Sequence, residues 1–334
     1  MVMKKTLQAL ILAFLALVTA SCERQAGVEE VKPIHLDDIH FIVTDEDEAV
    51  SFFQDHFGAR EMAHPGNRFD LVRFLSVKWQ DPTITITRIG PYEDLPDDRN
   101  QRWIDAKIVK PEAEKANPVY GARWLALATP SLAEARAALL AGGVEISEDQ
   151  VNLPMEPDAK AFSVLGPDGA EIVIVERPER DFEGAQYAID HIQFLTKDVD
   201  VSKVFFTKVY AAETDKVEEH SLSLKVADAN LIFSRPEAFG FDPAQIGERE
   251  TKGAIRIGLD HLGFLYKDIG KAAASAKAKG IAPIFEPQRY IYKDNPTVYM
   301  FTAFKSPDSI NIEMVQADGR IGPHSYYVDQ NNPR

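Results

Sequence analysis

Cysteine is almost absent from this chain of 334 residues, because Cys22 is its only one. A single thiol has no partner for an internal disulfide, so cross-links do not hold the fold together. Basic side chains are also scarce relative to acidic ones, with 37 Lys and Arg against 52 Asp and Glu and a formal net charge of −15. This charge repels nucleic acid and anionic lipid, and neither is expected as a partner of the folded part.

Long hydrophobic runs are missing as well. The apolar run over residues 9–18 is about ten residues long, well short of the roughly 20 that a membrane span needs. Lys4 and Lys5 precede it, and small residues follow up to Cys22. A positive start, a short apolar core and small residues predict a secretory signal peptide over residues 1–21.

The end of this segment, Thr19-Ala20-Ser21-Cys22, resembles the lipobox of bacterial lipoproteins. In those proteins the cysteine is lipidated and becomes the mature N-terminus. The resemblance implies lipidation of Cys22, a polar tether over residues 22–33 and a protein held on the periplasmic face of a bacterial membrane. Thr19 stands where the motif usually has leucine, so cleavage after Ala20 to give a soluble periplasmic protein is the alternative.

An internal repeat organises the rest of the chain. The phrase Asp-His occurs in apolar stretches at Asp190-His191 and Asp260-His261, and an altered copy reads Asp37-Asp38. A shift of 153 residues superimposes Asp37 on Asp190, and the register persists without a gap over more than twenty positions. Read with the strand period of two, His261 and Gly263 share one face of a strand whose other face is apolar. A metal ion or a substrate therefore has room beside the imidazole.

The same order of elements occurs four times. Each copy, or module, reads as one strand, one helix and three further strands, with helix stops such as Gly142-Gly143 and turn signals such as Gly166-Pro167-Asp168-Gly169. The modules cover residues 34–89, 119–178, 187–235 and 257–315 and are numbered 1 to 4 in this order. Polar connections that contain proline separate module 1 from module 2 and module 3 from module 4. This pattern predicts an α+β protein built from four βαβββ modules.

Four βαβββ modules in series, with an Asp-His opening and a Pro-Asp turn before the last strand, resemble the vicinal oxygen chelate superfamily. Glyoxalase I, extradiol ring-cleaving dioxygenases and bleomycin-resistance proteins are members of it. The resemblance implies two domains, each formed by two modules whose curved, partly closed sheet encloses a cavity. We expect consecutive modules to pair, which gives an N-terminal domain over residues 34–178, a C-terminal domain over residues 187–316 and a tail over residues 317–334.

The resemblance also implies a metal site, with ligands on the first and last strands of the modules. In the C-terminal half these positions hold His191, His261 and Glu313. Side chains alternate along a strand, so Glu313 faces away from its apolar neighbours and points into the cavity. Glyoxalase-type sites take four protein ligands, whereas the dioxygenase branch takes two histidines and one carboxylate. The count of three predicts a dioxygenase-like site for Fe(II), with Mn(II) or Zn(II) as the alternatives.

The corresponding positions of the N-terminal half differ. The counterparts are Asp38 for His191, Trp124 for His261 and Val173 for Glu313. His40 lies two residues after Asp38 on the same face of the strand. Because so few metal ligands remain, we expect the N-terminal domain to be a metal-free structural partner in which His40 is neither ligand nor base.

These expectations combine into an exported, metal-dependent enzyme that acts on a small aromatic or enolisable substrate with vicinal oxygens, with dioxygen chemistry favoured. Ring-cleaving dioxygenases carry an extra catalytic histidine and a tyrosine, which this sequence lacks at the matching positions. His220 is the candidate acid or base. The candidate substrate-binding residues are Arg289, Tyr290, Tyr292 and Tyr299. The alternatives are a glyoxalase-type lyase or isomerase, and a lipoprotein that sequesters a small molecule without turnover.

Overall fold

The computed structural model describes residues 31–63, 72–78, 81–90, 106–110, 118–248, 254–291, 298–317 and 328–329. The predicted signal peptide lies outside these ranges, as do Cys22 and most of the predicted tether. Within them, no helix is both long enough and apolar enough to cross a membrane.

Four α-helices lie in the described part of the chain, one after the first strand of each module. They are α1 (Glu46–Phe57), α2 (Leu132–Ala141), α3 (Val199–Tyr210) and α4 (Ile269–Ala278). Each follows a residue whose side chain accepts a hydrogen bond from a backbone N–H of the first turn. These N-cap residues are Asp45, Ser131, Asp198 and Asp268. The caps explain why a short polar residue recurs at the same place in every module.

Nine strands form the largest sheet, and modules 1 and 4 supply eight of them. Across the sheet, and numbered by their order in the chain, they are β16 (Gln288–Ile291), β17 (Val298–Lys305), β18 (Asn311–Ala317), β15 (Gly258–Leu265), β1 (His35–Val43), β4 (Thr83–Arg88), β3 (Val72–Ser76), β2 (Arg60–Ala63) and β19 (Val328–Asp329). The two first strands, β1 and β15, pair antiparallel at the centre. β19, from the predicted tail, pairs with the edge strand β2.

Modules 2 and 3 form an eight-stranded sheet in the same way. Across this sheet the strands are β11 (Glu213–Val217), β12 (Ser221–Val226), β13 (Ala229–Ser234), β10 (Ala188–Leu195), β6 (Gly121–Thr129), β9 (Glu171–Glu176), β8 (Ala161–Leu165) and β7 (Ile146–Glu148). The first strands β6 and β10 pair antiparallel at its centre. The connections between modules meet in a separate two-stranded sheet of β5 (Lys107–Val109) and β14 (Ala254–Arg256).

The pairing of modules differs from the expected one. We expected module 1 to pair with module 2 and module 3 with module 4, but the sheets join module 1 to module 4 and module 2 to module 3. All four first strands have similar apolar patterns, so local sequence does not select the partner of each strand. Contacts between distant segments select it, among them the pairing of β5 with β14. Each half of the chain therefore contributes one module to each sheet.

One hydrophobic cluster contains residues of both large sheets and of all four helices. Phe57 of α1 packs on Tyr187, with 5.0 Å between the ring centroids. Tyr210 of α3 packs on Phe264 of β15 at 5.3 Å, and its hydroxyl donates a 2.7 Å hydrogen bond to the carbonyl of Ile312. Each fully buried aromatic ring contributes about 1.5–3 kcal/mol. The helix of module 3 is thus anchored on the sheet of modules 1 and 4.

The two predicted Pro-Asp turns also connect the sheets. Asp168, in the turn before β9, accepts a 2.7 Å hydrogen bond from the backbone N–H of Thr44, just before α1. Asp308, in the turn before β18, accepts a 3.3 Å hydrogen bond from the backbone N–H of Lys197, just before α3. The two contacts are related by the internal repeat, and each joins a turn of one sheet to a helix start of the other.

Candidate metal centre

A β-bulge interrupts each of the four first strands. The extra residues are Asp37 in β1, Arg123 in β6, Asp190 in β10 and Asp260 in β15. At a bulge two residues of one strand oppose one residue of its neighbour, so consecutive side chains come side by side. Asp260 Oδ2 accordingly lies 2.9 Å from His261 Nδ1. The same 2.9 Å contact joins Asp190 to His191, which explains why the Asp-His phrase recurs.

Three strands of the nine-stranded sheet bring two histidines and two carboxylates together, and we call these four residues the His–carboxylate cluster. His40 of β1 opposes His261 of β15, with 2.8 Å between His40 Nδ1 and His261 Nε2. Asp38, also on β1, has an oxygen 3.8 Å from His40 Nδ1. Glu313 of β18 has an oxygen 3.9 Å from His261 Nε2. One ligand-type atom each of Asp38, His40 and His261 lies within 4.8 Å of the others.

Gly263 makes room for one of the carboxylates. It opposes Asp38 across the β1–β15 pair, and a Cβ atom added to it would lie 2.0 Å from Asp38 Oδ1. Any residue larger than glycine at position 263 would therefore displace the carboxylate of Asp38. The open space that the sequence predicted beside His261 is occupied by the carboxylate of Asp38.

The two histidines of the cluster differ in charge. Burial lowers the pKa of His40 well below its usual value, and His261 lowers it further. Burial alone would also lower the pKa of His261, but Glu313, Asp260 and Asp38 stabilise the imidazolium and raise it to about 9. His261 is therefore the donor of the hydrogen bond to His40 Nδ1. His40 in turn donates from Nε2 to Thr87 Oγ1 at 2.5 Å.

The acidic groups are crowded around this imidazolium. Burial raises the pKa of Glu313 to about 7. His261 opposes this rise, whereas the charges of Asp38 and Asp260 add to it. Burial also raises the pKa of Asp38. Both carboxylate oxygens of Asp37 are buried without a hydrogen-bond partner, and its pKa is raised well above the usual value by burial, Asp38 and Glu313. A bound cation would neutralise this excess of negative charge.

The His–carboxylate cluster fits a divalent metal ion. Imidazole nitrogens and carboxylate oxygens are ligands for Zn(II), Mn(II) and Fe(II). Asp260 behind His261 resembles the carboxylate that commonly orients a metal-bound histidine. Between 11% and 25% of each of the four side chains is exposed, so a small molecule has access to them.

His191 is not part of this cluster. It lies in the eight-stranded sheet, where it is buried and its Nδ1 contacts Asp190, which Arg177 holds at 2.9 and 3.0 Å. Among the described residues, the only group of three or more ligand-type side chains within ligand distance is Asp38, His40 and His261. The structure thus brings His261 and Glu313 together with Asp38 and His40, and it does not bring them together with His191. The difference follows from the module pairing.

In the second sheet, two of the four positions that match the cluster hold apolar side chains, and the other two hold His191 and Gln193. Trp124 pairs with Gln193 as His261 pairs with His40, and Val173 pairs with Ala126 as Glu313 pairs with Gly263. The predicted counterparts Trp124 and Val173 are therefore confirmed. Both belong to a small hydrophobic cluster with Val151, Leu153, Ala161 and Val175. Buried apolar side chains thus stand in the second sheet where the first sheet has the imidazole of His261 and the carboxylate of Glu313.

The remaining predicted site residues lie elsewhere or outside the described part. His220 precedes β12 in the eight-stranded sheet, is half-exposed and has Glu219 at 3.7 Å, so it is not near the His–carboxylate cluster. Tyr290 of β16 and Tyr299 of β17 are partners in the backbone register, in the same sheet as the cluster. Their side chains and that of Arg289 lie outside the described part, as does Tyr292 altogether.

The sequence contains signals for three further residues of the site. The spacing of Asp38 and His40 predicts one face of a strand, but the expected pairing of module 1 with module 2 places them in a different domain from His261. Asp260 belongs to the repeated Asp-His phrase, and strict alternation predicts that its side chain points away from that of His261. The bulge changes that, because it turns the two neighbouring side chains toward each other.

Comparison with known proteins supports the fold. No protein-family model matches the sequence, and no curated protein matches it. Glyoxalase I from Zea mays is a structural neighbour with 15% sequence identity and a TM-score of 0.59, over 84% of this chain and 92% of that chain. A proposed dioxygenase from Bacillus subtilis has 14% identity and a TM-score of 0.56, over 86% of each chain. The chain thus has a glyoxalase-type, two-domain α+β fold, as the resemblance to vicinal oxygen chelate proteins implied.

Proposed function

We propose that the protein is a metal-dependent enzyme that moves a proton on a small substrate with two neighbouring oxygen atoms, as glyoxalase-type lyases and isomerases do. The observation that carries this proposal is the number of donor groups, because Asp38, His40 and His261 lie within ligand distance of one another and Glu313, 3.9 Å from His261, supplies a fourth. Four protein ligands are typical of glyoxalase-type sites in the superfamily that the sequence resembles, and three are typical of its dioxygenases. The fold is similar both to maize glyoxalase I and to the proposed dioxygenase from Bacillus subtilis, so the choice depends on the donor groups and not on the fold.

The residues of the cluster have different roles in this proposal. Asp38, His40 and His261 would hold the metal once His261 loses the Nε2 proton that it donates to His40, and Glu313 would complete the set. A metal ion held there would supply Lewis-acid polarisation of the substrate oxygens. Asp260 keeps the His261 ring in place through Nδ1. Glu313 has the most exposed of the four side chains, at 25%, and is the group that meets the substrate and accepts its proton.

Dioxygenase chemistry is the second candidate, and one observation favours it. Asp38, His40 and His261 alone form a group of two histidines and one carboxylate. This is the ligand set of many non-heme Fe(II) oxygenases, which keep open positions for substrate and oxygen. In that case Glu313 lies beside the metal without binding it.

Metal analysis of the purified protein tests the site. We expect about one divalent metal per chain in the wild type and its loss in His261→Ala, because one of few ligands is removed. His191→Ala is the matched control, since His191 is also a buried histidine beside a bulge aspartate, and this variant keeps the metal.

Loss of metal in His191→Ala with retention in His261→Ala would contradict this assignment. No metal in the wild type, even after reconstitution with Fe(II), Mn(II) or Zn(II), would contradict the enzyme proposal and leave a protein that sequesters a small molecule. For the loaded enzyme, exchange of a carbon-bound hydrogen of an α-hydroxy ketone with solvent deuterium supports proton transfer. Oxygen uptake with a catechol or a 2-oxo acid supports the dioxygenase instead.

We also propose that the protein is exported and anchored by a lipid on Cys22. The apolar run at residues 9–18 and the small residues before Cys22 support this proposal. With Cys22→Ser we expect the protein to move from the membrane fraction to the soluble periplasmic fraction, because a lipid anchor requires the thiol. An unchanged distribution on fractionation of bacterial cells would contradict the lipid anchor.

A further inference from the structure

A pocket of about 310 Å³ lies beside the eight-stranded sheet, in the part of the molecule without the His–carboxylate cluster. We call it the Arg123 pocket. Its lining includes Val119, Arg123, Glu148, Glu171, Leu195 and Phe241. Its volume is in the range of small-molecule sites.

Arg123 reaches this pocket because it is the bulge residue of β6. Its guanidinium carbon lies 4.8 Å from the ring centroid of Trp124, 4.7 Å from that of Phe239 and 4.9 Å from that of Phe241. The aromatic faces attract the cation without using its N–H groups. Among the described residues no hydrogen bond or ion pair reaches the guanidinium, and its Nε is buried without a partner. Such a group has a planar set of donors open to a ligand carboxylate.

Two carboxylates line the same pocket without pairing with Arg123. Glu148 ends β7 and Glu171 begins β9, so the strands hold them in place, and neither forms an ion pair within the described chain. Glu171 is half-buried and Glu148 is exposed at the end of its strand. Burial lowers the pKa of Arg123, and the charges of Glu171 and Glu148 oppose that lowering from beyond salt-bridge distance. A ligand that carries both charges would pair with the guanidinium and with the carboxylates together.

The remaining wall of the pocket is apolar. Val119, Leu195 and Phe241 contribute hydrocarbon surface, which favours an aliphatic or aromatic side chain on the ligand.

The internal repeat gives a second argument. Arg123 and Trp124 occupy the strand positions that Asp260 and His261 occupy in the first sheet. The second sheet thus has the basic Arg123 where the first sheet has the acidic Asp260. A basic side chain at this position suits an organic anion rather than a metal cation.

We propose that the Arg123 pocket binds a small zwitterion with an apolar side chain, an α-amino acid in chemical terms. Its carboxylate takes two N–H donors of Arg123, its ammonium group lies between Glu148 and Glu171, and its side chain packs on the apolar wall. The site is separate from the His–carboxylate cluster, because the two lie in different sheets.

Calorimetric titration with three matched probes tests the proposal. L-leucine carries both charges, 4-methylpentanoate lacks the ammonium group, and 3-methylbutylamine lacks the carboxylate. We expect saturable binding of L-leucine and at least roughly tenfold weaker binding of the other two, since each leaves a charged group of the pocket unpaired. Arg123→Met, which keeps an apolar stem between the rings, abolishes binding, and Arg123→Lys weakens it by about tenfold.

Arg136→Met is the control variant, because Arg136 also lies over an aromatic ring, that of Phe162, but pairs with Asp149. It retains wild-type affinity for L-leucine, and all variants retain their metal. A ligand with a millimolar Kd would occupy nearly all sites at about 50 mM. If L-leucine does not saturate the wild type at that concentration, the pocket holds only water and the proposal fails. If 4-methylpentanoate binds as tightly as L-leucine, the site is an anion site and the zwitterion assignment fails. An equal loss in Arg136→Met would show that Arg123 has no specific role.

Discussion

Gly263 is the residue on which the position of Asp38 depends. The carboxylate of Asp38 occupies the volume that a Cβ atom at position 263 would fill. The contact is with the end of a side chain rather than with backbone, so a larger residue displaces the carboxylate without breaking the strand pair. A methyl group added at position 263 would therefore remove Asp38 from the site and leave three donor groups instead of four.

Gly263→Ala should weaken metal binding while the fold persists. We expect a roughly 10–100-fold loss of metal affinity, the range seen when a ligand or its support is displaced, and little change in thermal unfolding of the apoprotein. Titration with Zn(II) in competition with a chelator measures the affinity. Gly270→Ala is the control, because a Cβ there meets only Asp268 Oδ1 at 3.3 Å, and its affinity should match the wild type. Wild-type affinity in Gly263→Ala would place Asp38 outside the metal site.

At the scale of the element, the bulged first strand is the unit that carries the chemistry. Four strands of similar sequence each place two consecutive side chains next to each other. In β15 the pair Asp260-His261 serves the cluster, in β6 the pair Arg123-Trp124 lines a pocket, and in β10 the pair Asp190-His191 is tied into an ion-pair network. The element is the same in all three, and the identity of two residues decides what it does.

The network of β10 predicts a pH-dependent stability. Burial would raise the pKa of Asp190, but hydrogen bonds from His191 and Arg177 overcome it and hold the pKa well below its usual range. A lowered folded-state pKa means that this stabilisation is complete above about pH 4 and is lost as the pH falls toward the folded-state pKa. We expect Asp190→Asn to lower the free energy of unfolding by roughly 2–3 kcal/mol at pH 7 and by progressively less below pH 4.

Urea unfolding at a series of pH values measures this difference between variant and wild type. The control is Asp149→Asn, because Asp149 pairs with Arg136 but is 80% exposed, and an exposed pair contributes less than about 1 kcal/mol. A difference for Asp190→Asn that stayed constant from pH 7 to pH 3 would mean that the carboxylate charge is not what stabilises β10.

At the scale of the whole molecule, the pairing of modules 1 with 4 and 2 with 3 determines where the site is. The cluster takes two residues from module 1 and two from module 4, and the paired histidines His40 and His261 are 221 residues apart in the chain. Neither half of the chain contains a complete sheet. Burial of the shared hydrophobic cluster then makes the two sheets dependent on each other.

Separate expression of the halves tests this dependence. We expect residues 23–180 and residues 181–334 to be unfolded and metal-free when expressed alone, because each presents two sheet edges and half of a core to solvent. Co-expression should restore a folded, metal-binding complex of the two fragments. Circular dichroism and metal analysis follow the outcome. A C-terminal fragment that folds and binds metal alone would show that modules 3 and 4 pair with each other.

The sequence by itself determined the modules, their α+β class and the positions of the helices, because periodicity, N-cap residues and turn residues act over a few neighbouring residues. The resemblance to vicinal oxygen chelate proteins also pointed to His261 and Glu313 as metal ligands, and strand alternation agreed with the face that it required of Glu313. Only the tertiary structure decided that Asp38 and His40, rather than His191, lie beside them. Strand partners in a sheet are selected by long-range packing, and four first strands of similar pattern contain no local information about which two will meet.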